Sequence, residues 1–168
     1  MPRTGWHASR DIGERSLLVR TTYLGDVCVL APWAEYLARG DEEILRQNYP
    51  MMKKFLAACE HRAALLSVGK HRRIWSLPFQ FGDWCAPYGS VPDWLSRGPW
   101  VGTAYYFRSC RLMSEIAAIL GHDEDSRRYA NLAEKVRAAF CKVFTDGHGR
   151  MKEEFQTAYV LALAFGLA

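Results

Sequence analysis

Apolar residues recur every three to four positions along most of the chain. From Ser126 to Phe144, the residues Tyr129, Leu132, Ala133, Val136, Phe140 and Val143 form one stripe, while Arg127, Arg128, Glu134, Lys135 and Arg137 fill the other face. That is the pattern of a helix with one side in a core. Asp123 and Glu124 precede Arg127 and Arg128 by four residues and put negative charge near the positive helix start. Gly98 to Leu120 repeats Val101, Tyr105, Leu112, Ile116 and Ile119, and Gly121 supplies the stop. The two predict a helical hairpin. No stretch shows convincing strand alternation, so the expected fold class is all-α.

Upstream, Gly25 to Arg39 predicts a helix with Val27, Leu30, Ala34 and Leu37 on one side, its start delayed or kinked by Pro32. Asp41 can cap a short helix through Asn48, and Pro50 can open the next, whose stripe is Met52, Phe55, Leu56, Cys59 and Leu66. A last helix from about Phe155 is still apolar at Phe165-Gly166-Leu167-Ala168. Such a run would pack against further helices, so the chain reads as part of a larger array of antiparallel helix pairs. Residues 1–22 carry no usable period and stay unassigned. Residues 23–168 form the partial helical domain.

The segment from Trp75 to Trp100 differs in kind. It holds four of the seven prolines and four of the six tryptophans, with Phe79, Phe81 and Tyr88 between them. Loops longer than about 12–15 residues tend to be functional or disordered, and so aromatic a composition argues against disorder.

Composition narrows the class. The 168 residues, 49% hydrophobic and 24% charged, suit one soluble globular domain. A core of that size needs neither disulfides nor metal. The five cysteines are dispersed with no C-x-x-C, against a disulfide framework or zinc cage and in favour of a reducing, cytoplasmic setting. No apolar run reaches the roughly 18 residues of a membrane span, and no signal-peptide core is present, although a longer protein could carry one upstream. The net charge is +4, and its one dense basic cluster, Lys70-His71-Arg72-Arg73, reads as a solvated loop. Neither nucleic acid nor membrane is an expected partner.

The sharpest chemical candidate is Phe81-Gly82-Asp83-Trp84. A pyranose offers hydroxyls to a carboxylate and an apolar C–H face to an aromatic ring, which together fix its orientation. The plainer reading has Asp83 capping a turn or helix start and Trp84 in the core. Gly25-Asp26 could likewise present a carboxylate at a helix start, or be an ordinary N-cap. The five histidines are scattered with no H-E-x-x-H, and G-x-S-x-G, Walker A and G-x-G-x-x-G are all missing. Gly147-His148-Gly149 after Thr145-Asp146 reads as a turn between helices. The sequence implies no cofactor and no metal.

The chain resembles the six-hairpin glycosidase domain of bacterial α-L-rhamnosidases over most of 25–168. The likeness rests on Gly25-Asp26, Pro32-Trp33, Tyr36, Gly40-Asp41, Ile44-Leu45 and Tyr49-Pro50 with Met52-Lys53. It continues through Phe81 to Trp84, Thr103-Ala104-Tyr105, Glu115-Ile116-Ala117, Tyr129 to Phe140 and Gln156-Thr157-Ala158-Tyr159-Val160-Leu161-Ala162-Leu163. Phe81 to Trp84 and Gln156 to Leu163 are the strongest parts.

The resemblance implies an (α/α)6 barrel with the active site at one end of its axis, and inverting hydrolysis of terminal α-L-rhamnose from glycosides. An inverting pair of glutamates stands roughly 6.5–9.5 Å apart to admit a water. It also implies that Asp83 and Trp84 belong to the sugar pocket, with Asp26 beside them. The carbohydrate substrate and the remaining barrel helices are then the partners. The family's acid lies in an upstream D-G-x-x-R-D-E, which Arg10-Asp11-Ile12 before Gly13-Glu14 does not reproduce, and its base lies beyond Ala168. No catalytic residue is therefore assigned in this chain. Leu24 and Arg39 replace common aromatics, and 67–80 looks like an insertion. The alternatives are a non-catalytic helical interaction module, against which the absence of any repeat near 34–47 residues counts, or another (α/α)6 carbohydrate-active enzyme.

Overall fold

The computed structural model describes residues 25–65, 69, 72–76, 81–87 and 89–167. The unassigned segment 1–22 and most of the expected insertion lie outside them. The described residues form helices α1 (Val27–Arg39), α2 (Glu42–Leu65), α3 (Val91–Ser96), α4 (Gly98–Ile119), α5 (Asp123–Phe144) and α6 (Gln156–Phe165). The α4–α5 hairpin is the centre, with α1, α2 and α6 packed on α4.

The hairpin follows its sequence pattern. Tyr129, Leu132, Ala133, Val136 and Phe140 of α5 are buried against Val101, Leu112, Met113 and Ile116 of α4 and the rest of the core. Trp100, at the start of α4, meets Phe140 and Phe155 edge-on with ring centroids 5.0 and 5.5 Å apart. Such pairs add about 0.5–1.5 kcal/mol each beyond area burial. After α5 the chain turns through Thr145 to Met151. Asp146 Oδ1 accepts the N–H groups of His148 and Arg150 there, as the glycine-flanked stretch predicts.

Pro50 does not divide two helices; α2 runs through it. Leu45, Tyr49, Met52, Leu56, Cys59 and Ala63 form one unbroken buried stripe across the proline. Each large side chain contributes about 1.5–3 kcal/mol of burial, which outweighs the roughly 3 kcal/mol cost of an interior proline. α1 likewise continues through Pro32, and of the expected stripe only Leu30 packs against the core. Val27 and Leu37 are exposed, whereas Val29 and Pro32 are buried and Trp33 and Tyr36 pack partly against the core. Both stripes have helical spacing, and the one with the larger aromatic area turned inward.

The stretch from Trp75 to Trp100 is less of a loop than expected. It contains α3, opened by a capping box in which the Ser90 N–H and hydroxyl both donate to Asp93. It also contains the first turn of α4. Trp75 and Trp100 are core residues. Thr103 Oγ1 accepts the Trp75 N–H at 2.9 Å and donates to the Pro99 carbonyl, tying residues 72–76 to α4. α6 stops at Phe165, where Gly166 and Leu167 donate to Leu163 and Ala162 in a Schellman closure. Leu167 is then buried, and its carbonyl accepts from Cys141 Sγ. Val160 and Leu163 remain exposed on α6. Among the described residues no helix is long and apolar enough to cross a membrane.

Candidate functional site

The turn at Phe81 to Pro87 is built by close backbone contact. The Asp83 N–H donates to the Trp94 carbonyl at 3.2 Å, and the Ala86 N–H donates back to the Asp83 carbonyl at 3.1 Å. Gly82 makes this possible: its φ is 62°, and a β-carbon there would stand 1.8 Å from the Trp94 carbonyl oxygen. Trp94 closes the other side by donating its indole N–H to the Ala86 carbonyl.

Both oxygens of Asp83 are engaged. Thr157 Oγ1 donates to Oδ1 at 2.7 Å and Arg97 Nη1 pairs with Oδ2 at 3.0 Å. The Arg97 guanidinium also lies 4.5 Å over the Phe155 ring, a cation–π contact that limits where it can swing. The carboxylate thus joins the turn to the start of α4 and to the first turn of α6. Trp84, at the corner of the turn, is 48% exposed. Phe81 and Trp94 touch it edge-on at 5.6 and 5.4 Å. Asp83 is therefore more than a local cap, and Trp84 is not core.

Asp26 stands elsewhere, at the N-terminus of α1, where its backbone carbonyl accepts the Val29 and Leu30 N–H groups. Its side chain makes no cap, is only 3% exposed, and leaves Oδ2 without a hydrogen-bond partner. The preceding Gly25 lies so close to Phe55 that a β-carbon would meet the ring at 2.8 Å. Burial pushes the Asp26 carboxyl up to about 7, opposed by the neighbouring backbone N–H groups. No hydrogen bond or ion pair joins Asp26 to Asp83 among the described residues.

Sequence reasoning did not single out Arg97, Trp94 or Thr157 as site residues. Arg97 and Trp94 carry no motif of their own. Thr157 sits in the motif-like stretch from Gln156, but nothing in its spacing ties it to a carboxylate 74 residues earlier. An open cleft at the end of α5 is lined by Cys141, Lys142, Thr145, Asp146, Gly147 and Lys152 and includes none of the predicted residues. Among the described residues no group of three or more His, Cys, Asp or Glu could hold a metal ion.

The comparisons with known proteins agree with this architecture. An α-L-rhamnosidase of Formosa agariphila is 36% identical over 148 residues, covering 85% of this chain and 15% of that protein. One of Alteromonas sp. is 35% identical over 153 residues, with the same two shares. The crystal structure of Streptomyces avermitilis α-L-rhamnosidase complexed with L-rhamnose superposes with a TM-score of 0.71 at 27% identity, over 85% of this chain and 12% of that one. The α-L-rhamnosidase from Dictyoglumus thermophilum gives 0.69 at 27% identity, over 83% and 15%. The chain thus spans about an eighth to a seventh of the length of these relatives. The bacterial alpha-L-rhamnosidase 6 hairpin glycosidase domain matches residues 16–168, and the chain, all-helical with its paired helices, belongs to that family.

Proposed function

We propose that this chain supplies part of the sugar pocket of an α-L-rhamnosidase that hydrolyses terminal α-L-rhamnose from glycosides with inversion. The observation that carries the reading is Trp84: a half-exposed indole at the corner of a turn that is fastened on both sides. A flat ring held in that way suits the apolar face of a pyranose. Asp83 keeps lone pairs beyond its bonds to Thr157 and Arg97, so it can accept from sugar hydroxyls as well. Asp26 is only 3% exposed at the start of α1, so no sugar contact is assigned to it. Neither catalytic glutamate is assigned to this chain, which spans 12–15% of the length of its relatives.

The test is a titration of L-rhamnose into the protein, followed by calorimetry and tryptophan emission, for the parent and for Trp84→Ala and Asp83→Asn. A charge-assisted hydrogen bond is worth about 1.5–3 kcal/mol, so Asp83→Asn should weaken binding roughly 10- to 150-fold. Trp84→Ala should weaken binding and abolish the emission change. Affinity unchanged in both variants would remove the pocket from this turn.

A further inference from the structure

The two stretches that most resemble the family, Phe81 to Trp84 and Gln156 to Leu163, are far apart in sequence and meet at one hydrogen bond. Thr157 Oγ1 donates to Asp83 Oδ1 at 2.7 Å, while Arg97 takes the other oxygen. Asp83 has no freedom to turn away: its own N–H is bound to Trp94, and its carbonyl closes the turn. Arg97 in turn is packed over Phe155, the residue just before α6. The pair forms a bracket, with one arm from the start of α4 and one from the start of α6, both gripping the carboxylate beside Trp84.

We propose that Thr157 and Arg97 are positioning residues for the sugar site: they touch no substrate, and they set the angle of the Trp84 ring and the free edge of Asp83 by holding both carboxylate oxygens. The inference rests on the reading that Trp84 and Asp83 face the sugar. Thr157 is the more informative arm, because its hydroxyl gives a single directed bond that an isosteric side chain can delete. Arg97 adds charge and packing that no one substitution removes cleanly.

The experiment compares Thr157→Val, which keeps the shape and loses the donor, with Thr157→Ser, which keeps the donor. Three readouts are taken: L-rhamnose affinity by calorimetry, the rate at which N-bromosuccinimide oxidises Trp84 as followed by peptide mass spectrometry, and the thermal melt. Thr157→Val should bind L-rhamnose about tenfold more weakly, the worth of a modest charge-assisted hydrogen bond. Its Trp84 oxidation rate should change severalfold, and Thr157→Ser should restore both while all three proteins remain folded. If Thr157→Val binds as the parent does, or Thr157→Ser fails to rescue it, the positioning role is wrong while the pocket survives. If the parent shows no L-rhamnose binding, the pocket reading fails; a Trp84 oxidation rate that still shifts in Thr157→Val and returns in Thr157→Ser would then support the bracket itself, and an unshifted rate would overturn it.

Discussion

Replacing Gly82 by alanine tests the construction of the Trp84 turn, and Gly40 provides the control. Both glycines are left-handed, with φ of 62° at Gly82 and 70° at Gly40. An alanine at either position bears the same backbone penalty, about 1–2 kcal/mol. The surroundings differ. At Gly40 nothing lies within 4 Å of an added β-carbon, whereas at Gly82 it would sit 1.8 Å from the Trp94 carbonyl oxygen. That oxygen must retreat by more than an ångström, and it is the acceptor for the Asp83 N–H. Losing that bond costs about 0.5–1.5 kcal/mol, and the forced shift of backbone about 1–3 more. Gly82→Ala should therefore be less stable than Gly40→Ala by about 2–4 kcal/mol, a gap of roughly 4–16 °C in melting temperature for a domain of this size. Parallel thermal melts by circular dichroism measure it. Coincident melts for the two variants would refute the reasoning, because only the close approach distinguishes them.

Asp26 should make stability fall as pH rises. Its folded-state pKa of about 7 lies above the ordinary 3.8, so the cost of ionising it in place is absent below about pH 4 and complete above about pH 7. Asp26→Asn should melt close to the parent at pH 4 and above it at pH 8; a difference that does not grow with pH would show that the carboxyl is not held neutral. Trp84→Ala should cost about 1–2 kcal/mol, because half of the ring is already in water, against about 3–5 for Phe140→Ala in the core. Denaturant titrations of the two variants decide this, and equal losses would return Trp84 to the core. Tyr49 donates to Asp125 at 2.8 Å across the α2–α5 boundary, and Lys53 reaches the same oxygen. Tyr49→Phe should cost about 1 kcal/mol in the parent and less in an Asp125→Asn background, which a double-mutant cycle checks.

The helices were legible wherever a single stripe dominated, as in α4 and α5. They were misread where local rules competed with burial. Pro50 and Pro32 looked like breaks because a proline cost is visible in any window, while the stripe from Leu45 to Ala63 that overrides it extends over most of α2. On α1 two stripes had equal claim by spacing, and which one faced inward depended on the partners α2 and α4. Phe81 to Trp84 stood out through composition, but the role of its carboxylate did not. The bonds from Thr157 and Arg97 are tertiary, and a threonine hydroxyl or a lone arginine leaves no periodic trace. Asp26 was visible as a helix-start residue; that its side chain is buried and does not cap is set by the tertiary packing around it, which no helix-start rule carries.

The span between Asp83 and Thr157 also orders events in time. Seventy-four residues separate the two ends of that bond, and at roughly 5–20 residues per second a ribosome needs about 4–15 s to add them. The α4–α5 hairpin lies between them and closes on contacts between neighbours in sequence, so its pairing does not depend on α6. Until α6 is made the carboxylate has only its arginine, and the indole beside it protrudes from a half-fastened turn. The Trp84 turn is thus secured only once α6 has been made.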